Sequence, residues 1–395
     1  RLLLAIHHLS VDGVSWRILL GDLQDALEQT GSTIALPPAV LPWSAWVDAV
    51  RHYGERPDAA AELAWWQTYL ADTLPDLPVD LTADRPTASS EAIRWQADED
   101  LTRRLIDAAP RAYRMGVEDL LLTALGQALG EWSGQDRVLV DLEGHGREDV
   151  LPGLDLSSTV GWFTTRYTAV VPVADDARAS LIGTKESIRS IPDRGFGLGV
   201  LRYLASAEVR DVAGALPRSL VSFNYLGQFD QTLKQDGPLG FASENAGSPT
   251  DAGGNMDYVL DLNGMVAGGC LSFSWRFCPE TVSSDTVRRL TERFDTALQA
   301  LIAHCEAATP ERTAADVPLA RLSQTELEEL GLSGDDIEDV YAATPLQQGL
   351  LFHSQLAAGE GLYVTQKRLT LKGRLDRKAL KAAWHDAVSR HAILR

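Results

Sequence analysis

Short apolar runs typical of strands alternate along the chain with helices that carry one apolar stripe, and this alternation restricts the possible folds. Apolar residues recur every three or four positions, the spacing of one helix face, at residues 16–27, 117–128 and 287–301. Buried or alternating runs predict strands at residues 138–142, 162–171, 220–225 and 271–277. Strands that alternate with helices, with some strands paired as hairpins, predict the α/β class.

The chain begins with an apolar run, residues 1–6, that leads directly into two histidines. It has no initiator Met and no small-residue cleavage site, so it does not have the pattern of a signal peptide. We interpret the run as a buried strand, and the sequence as a piece of a longer protein.

Charge and cysteine content argue against several classes of function. The formal net charge of -19 disfavours nucleic acid and membrane surfaces as partners, because both require clustered Lys and Arg. No apolar run approaches the roughly 18 residues that a membrane span needs. The three cysteines predict a reducing, cytoplasmic compartment without disulfides. Cys270 and Cys278 lack the spacing and the neighbouring His of a zinc site, so no metal is expected.

The segment His7–Gly13 places two imidazoles between an apolar run and a helix, where loops often carry function. Asp12 can brace the turn by pairing with an arginine, and Gly13 allows the positive φ that such a turn can require. A pair of histidines alone is more often structural. The complete H-H-x-x-x-D-G pattern before a Ser-Trp helix start is far more specific. We expect His8 to carry chemistry and His7 to be structural.

Glu143 follows a buried strand, with glycines on either side of nearby His145. A solvated turn and a carboxylate delivered into a cleft fit this pattern equally well. A His and a Glu across a cleft suit proton removal from one face of a carbon and delivery to the other, as inversion requires. Asn224 and Tyr225 end another strand and can both donate to a developing oxyanion. Without further context, a turn-closing Asn and a half-buried Tyr are the alternative.

Four motifs carry a resemblance to a known family. In chain order they are HHLSVDGVSWRILLGDL from His7, EGHGRED from Glu143, STVGWFTTRY from Ser158 and VSFNYLGQFD from Val221. The sequence resembles the epimerization domains of nonribosomal peptide synthetases, members of the condensation-domain superfamily. The second and fourth motifs resemble epimerization domains rather than condensation domains. The resemblance implies an α/β, chloramphenicol-acetyltransferase-like fold of two lobes around a tunnel, with the N-terminal lobe incomplete in this sequence.

The resemblance and the residue patterns together divide the chain into three parts. Residues 1–306 are expected to form the epimerization domain without its N-terminal part, with a lobe boundary near residues 80–95, where prolines predict an extended crossing. Residues 307–336 are expected to be an interdomain linker. DVYAATPLQQGLLFHS from Asp339 and RHAILR from Arg390 resemble the first two motifs of a condensation domain. Residues 337–395 are therefore expected to be the start of one.

The resemblance implies epimerization at the Cα of an L-aminoacyl or peptidyl thioester. An upstream peptidyl carrier domain would deliver this substrate on its 4′-phosphopantetheine arm, and a downstream condensation domain would use the product. His8 and Glu143 would flank the Cα, and either can be the base for the L-substrate. Asn224 and Tyr225 would line the same site, with Tyr225 the preferred enolate donor. The chain itself would bind no metal, nucleotide or flavin.

Asp12 is expected to brace the His loop by pairing with Arg17 or Arg147. Two other functions stay open. One is condensation or acyltransferase-type amide formation, which needs an acceptor amine and gives no exchange at Cα. The other is a non-catalytic docking role, in which a carrier domain binds but neither reaction occurs.

Overall fold

The structure, a computed structural model, describes residues 1–29, 34–38, 41–73, 77–80, 90–228, 237–240, 242, 244, 247, 256–357 and 362–394. Contacts divide the chain into two compact units, Arg1–Val340 and Tyr341–Arg395. Three features of the sequence analysis lie partly outside the described residues. They are the lobe boundary at residues 81–89, the last two residues of VSFNYLGQFD and the C-terminal Arg395.

A mixed sheet forms the centre of the first unit. Its described strands are β1 Glu91–Gln96, β2 Arg137–Gly144, β3 Thr165–Pro172, β4 Val221–Gln228, β5 Leu260–Ala267 and β6 Cys270–Phe277. The strand order is β1-β6-β5-β4-β2-β3. Strand β4 runs parallel to β2 and to β5, and the other pairs are antiparallel. Because β2 and β4 are parallel neighbours, they end at the same edge of the sheet.

The described helices of the first unit are α1 Gly13–Glu28, α2 Trp43–Gly54, α3 Ala59–Tyr69, α4 Glu99–Tyr113, α5 Val117–Ser133, α6 Ala177–Ser190, α7 Phe196–Tyr203, α8 Ala207–Gly214, α9 Ser284–Ala307 and α10 Gln324–Glu329. Helices α1, α4 and α6 begin after an Asp that accepts a backbone N–H of the first turn. Helix α5 packs on α4, α6 and α9 and on strands β2 and β3. Its leucines are buried in the main core.

Side chains alternate along the strands between a core face and a polar face. In β5, Leu260 and Leu262 are buried, whereas the intervening Asp261 and the following Asn263 point the other way. The strand registers align residues of this second kind on neighbouring strands. We call this surface the polar sheet face, and define it by Asp141, Glu143, Arg166, Thr168, Ser222, Asn224, Asp261, Asn263, Ser274 and Arg276.

The α/β class predicted from the sequence is confirmed, and each of the four predicted strands overlaps a strand of the sheet. The buried strand predicted at residues 1–6 is wrong. These residues have no regular structure, and Leu2 and Leu3 are 67% and 71% exposed. No described strand pairs with this run, and a strand without a neighbour leaves its backbone hydrogen bonds unmade.

Residues 307–340 pack against the rest of the first unit. Lys185, buried on α6, donates to both carboxylate oxygens of Asp316 at 2.7 Å. Val317 and Leu327 are 1% and 0% exposed. The segment expected to be a linker is therefore an ordered part of this unit, and the three domain boundaries stay a prediction.

The second unit contains the described helices α11 Pro345–Leu356 and α12 Arg377–Arg390. Thr344 caps α11 by accepting the N–H of Gln347, and Asp376 caps α12 in the same way. Within the described part of the chain, no helix combines the length and the apolar character that crossing a membrane requires.

Candidate functional site

Asp12 lies at the N-terminus of α1 and binds three separate segments of the chain. Its Oδ1 accepts the Ser15 N–H at 2.7 Å, which caps the helix. Arg147 Nη2 donates to Oδ1 at 3.1 Å, and the Phe163 N–H donates to Oδ2 at 3.1 Å. The Asp12 residue is only 3% exposed. The His loop is thus fastened to the segments that follow β2 and precede β3.

Arg147 is the arginine that pairs with Asp12, and its other contacts fix it in place. Its Nη1 donates to the carbonyls of Leu156 and Thr159 at 2.8 and 2.6 Å. Its guanidinium lies over the Phe163 ring, 4.0 Å from the centroid. A buried guanidinium with this many partners is a rigid anchor for the carboxylate it binds.

Two further contacts join α1 to the sheet edge where β2 and β4 end. Ser15 Oγ donates to the Gly161 carbonyl at 2.8 Å and accepts its N–H at 3.0 Å. Arg17, the other candidate partner of Asp12, instead donates to the Leu226 carbonyl of β4 at 3.2 Å. These contacts bring the His motif and the strands that carry Glu143 and Asn224 to one region.

The two histidines have different environments. His7 Nδ1 accepts the Leu9 N–H at 3.1 Å, so the His7 ring caps the short turn His8–Ser10. His8 is exposed, and its ring meets the Trp162 ring at an angle of 66° with centroids 6.0 Å apart. His8 is therefore accessible to a ligand, whereas His7 supports the turn.

Glu143, near the end of β2, has both carboxylate oxygens held. Asn224 Nδ2 donates to Oε2 at 2.9 Å, and Arg166 Nη2 donates to Oε1 at 3.2 Å. Arg166 is the direct cross-strand partner of Glu143 on β3. The side chain of Glu143 keeps 26% of its surface exposed. The carboxylate is thus oriented by its neighbours and still open to a substrate.

A second group of contacts lies beside Glu143 on the polar sheet face. Arg166 lies over the Tyr258 ring, 5.5 Å from its centroid. Tyr258 Oη donates to Asp141 Oδ2 at 2.9 Å, and Thr168 Oγ1 donates to Oδ1 at 2.7 Å. Burial, together with the Asp141 carboxylate, raises the pKa of Tyr258. The phenol therefore stays protonated and keeps donating at neutral pH.

The structure separates Asn224 from Tyr225, so the expectation that both line one site is wrong. Successive strand residues point to opposite faces of a sheet. Asn224 contacts Glu143 on the polar sheet face, whereas Tyr225 packs against the hydrophobic core. Burial, with a smaller contribution from the Glu118 carboxylate, raises the pKa of Tyr225.

The positive φ expected at Gly13 is found instead at Gly146. Gly13 is the first residue of α1, and a Cβ added there would meet no atom within 4 Å. The turn needs no left-handed residue because Asp12 is extended, with φ -118° and ψ -177°. Gly146 has φ +65°, and a Cβ there would lie 1.6 Å from the Phe163 carbonyl oxygen.

We predict that Gly146→Ala lowers the free energy of unfolding by about 1–3 kcal/mol, because a β-carbon strains the backbone and displaces the Phe163 carbonyl. Gly13→Ala is the matched control. It should change the free energy of unfolding by no more than about 0.5 kcal/mol, since Gly13 is the first residue of the helix and an added β-carbon meets no atom. Urea unfolding followed by tryptophan fluorescence measures both. Equal midpoints for the two variants would contradict the assignment.

Sequence reasoning missed Arg166, Tyr258 and Trp162. Arg166 and Trp162 lie in the STVGWFTTRY stretch, which was recognised as a motif but given no role. The register of β2 against β3 is the signal that pairs Arg166 with Glu143. Among the residues that the structure describes, no cluster of three or more His, Cys, Asp or Glu side chains is arranged to hold a metal ion.

Comparisons with known proteins bear on the whole chain. The model of the condensation-domain family matches residues 1–316 and 337–395. A linear gramicidin synthase of Brevibacillus parabrevis is 37% identical over 405 residues, which cover 100% of this chain and 8% of that protein. Gramicidin S synthase 1 of Brevibacillus brevis is 33% identical over 358 residues, covering 86% of this chain and 32% of that protein. The chain thus spans a small part of each relative.

A solved structure is also similar. The crystal structure of the epimerization domain from the third module of tyrocidine synthetase B matches with a TM-score of 0.70 and 31% identity. The match covers 76% of this chain and 69% of that one. It confirms the expected chloramphenicol-acetyltransferase-like fold.

Proposed function

The chain belongs to the condensation-domain family, and on this premise we propose that it epimerizes the Cα of an L-aminoacyl or peptidyl thioester. The substrate would be carried on the 4′-phosphopantetheine of an upstream peptidyl carrier domain. One observation carries the proposal: Glu143 is held by Arg166 and Asn224 close to the edge where the His8 loop is anchored. The four motifs and the similarity to a solved epimerization domain support it.

Inversion requires one group to remove the Cα proton and a second group to deliver a proton to the opposite face. We assign these roles to His8 and Glu143, a pair in which one member starts protonated and the other unprotonated. A thioester acidifies its Cα–H, yet the proton remains far less acidic than any side chain. Stabilisation of the enolate must therefore supply several kcal/mol. Because Tyr225 is partly buried against the core, on the face opposite Asn224 and Glu143, we do not assign it that role.

The remaining groups act on the reacting pair or deliver its substrate. Asn224 and Arg166 orient Glu143, and the Asp12–Arg147 pair fixes the loop that carries His8. The chemistry needs no metal and no cofactor bound by this chain, since the carrier domain brings the phosphopantetheine. A downstream condensation domain, whose start residues 337–395 resemble, would receive the D-configured product.

The test is exchange of the Cα–H in deuterated water, with the full-length synthetase and its carrier domain loaded with substrate. We expect deuterium to enter the substrate, and both configurations to appear after hydrolysis of the thioester. Loaded carrier that acquires neither deuterium nor D-configuration would contradict the proposal. Amide formation with an added acceptor amine, without exchange, would instead support condensation. Binding of loaded carrier without either reaction would support a docking role.

A further inference from the structure

We propose that Arg166 is a positioning residue, which holds the Glu143 carboxylate in place for proton transfer through its positive charge as well as its hydrogen bond. This inference rests on the proposed function and deepens it, since it assigns a residue whose charge acts on one member of the reacting pair. Arg166 would not itself touch the substrate.

The contacts of Arg166 form a closed chain that begins and ends on β2. Its guanidinium donates to Glu143 Oε1 at 3.2 Å and lies over the ring of Tyr258. Tyr258 donates to Asp141, two residues before Glu143 on the same strand. Although the Arg166 side chain is half exposed, it is thus restrained by both Glu143 and Tyr258. A restrained arginine fixes a carboxylate more sharply than a freely rotating cation does.

The charges around Glu143 make this contact important for holding its carboxylate in place. Two further carboxylates, Asp141 and Asp261, lie on the same face, and like charges repel one another. The Asp141 carboxylate is satisfied by Tyr258 and Thr168. Arg166 is the cation that opposes this repulsion at Glu143 among the described residues.

Asp261 is another carboxylate of this face that lies beside an arginine. Burial raises the pKa of Asp261, and the charge of Glu143 adds to that rise. Arg276, 3.9 Å from Asp261, acts in the opposite direction. Each of these two carboxylates thus has its own arginine. Removing Arg166 would leave Glu143 with Asn224, which donates a hydrogen bond but carries no charge.

Three substitutions separate charge from hydrogen bonding. Arg166→Met removes both the charge and the hydrogen-bond donors. Arg166→Gln retains an N–H donor without the charge, and Arg166→Lys retains the charge without the planar guanidinium group. The readout is the rate of Cα–H exchange against pH, in the full-length synthetase with its carrier loaded with the enantiomer whose exchange Glu143→Gln slows. Arg94→Met is the matched control. Arg94 is exposed on β1, which is the outermost strand on one side of the sheet, whereas Arg166 lies on β3, the outermost strand on the other side.

We expect Arg166→Met to slow exchange on the order of 10- to 100-fold, since misplacement of a reacting group by about 1 Å has effects of this size. The acid limb of its pH profile should move to higher pH, because a carboxylate without its cation is protonated more readily. Arg166→Gln should show the same displaced limb, and Arg166→Lys should restore it. Arg94→Met should keep both the rate and the profile of the wild type.

An unchanged acid limb in both Arg166→Met and Arg166→Gln would overturn the inference, as would failure of Arg166→Lys to restore a displaced limb. Because the limb is read separately from the rate, a general loss of folded protein does not imitate the expected result. If Arg166→Met does not fold, the position of the acid limb in Arg166→Gln tests the inference. Absence of exchange in the wild type would contradict the proposed function itself, whereas exchange in the wild type with an undisplaced limb in the variants contradicts this inference alone.

Discussion

Replacing Glu143 with Gln is expected to slow Cα–H exchange by about 10²- to 10⁴-fold, the usual contribution of a general acid or base, from the enantiomer whose proton Glu143 removes. Glutamine has nearly the shape of glutamate, and its carbonyl oxygen can still accept a hydrogen bond from Arg166. It cannot accept a proton in the working pH range. The loss should therefore fall on proton transfer, with the fold retained.

The same variant can distinguish the two reacting groups if exchange is measured separately from the L- and the D-substrate. With one base lost, the other can still exchange the proton on its own side of Cα. Glu143→Gln and His8→Gln should thus affect opposite enantiomers, and this pattern identifies the base for the L-substrate. Glu329→Gln, the same change at an exposed glutamate of α10, is the matched control and should exchange at nearly the wild-type rate. Undiminished exchange in both Glu143→Gln and His8→Gln would rule out the two-base mechanism.

Local patterns predicted the strands and helices that carry the site. The run at residues 138–142 is short and, apart from Asp141, apolar. The α5 stripe repeats at helical spacing, so each element was recognisable without knowledge of its neighbours. Strand β5 was missed although Leu260, Asp261, Leu262 and Asn263 alternate in the manner of a half-buried strand.

Pairing between distant segments was not predictable in the same way. Arg166 became a partner of Glu143 only through the register of β2 and β3, which periodicity does not specify. The composition of residues 307–336 suggested a linker, yet Lys185 of a distant helix holds Asp316 there. The separation of Tyr225 from Asn224 follows from strand geometry alone, since adjacent residues of a regular strand point to opposite faces.

Removal of the Asp12 carboxylate is the second substitution expected to have a large effect. Asp12→Ala should lower the free energy of unfolding by about 3–5 kcal/mol, the usual cost of leaving one member of a buried ion pair alone. Arg147 would remain buried without its carboxylate, and the N–H groups of Ser15 and Phe163 would lose their acceptor. Exchange should fall as well, because the loop that carries His8 loses its attachment.

Two companion variants separate these causes. Asp98 caps α4 by accepting the Leu101 N–H at 2.8 Å but is exposed, so Asp98→Ala should cost only about 1 kcal/mol. In the double variant Asp12→Ala/Arg147→Met the unpaired charge is gone, and part of the lost stability should return. Exchange should not return, since the connection between the His loop and the segment after β2 is still absent. Urea unfolding and Cα–H exchange on the same preparations test both statements.

If Asp12→Ala lowers the free energy of unfolding no more than Asp98→Ala does, the buried pair is not what holds the His loop. If exchange recovers in the double variant, the loop does not need that attachment to place His8.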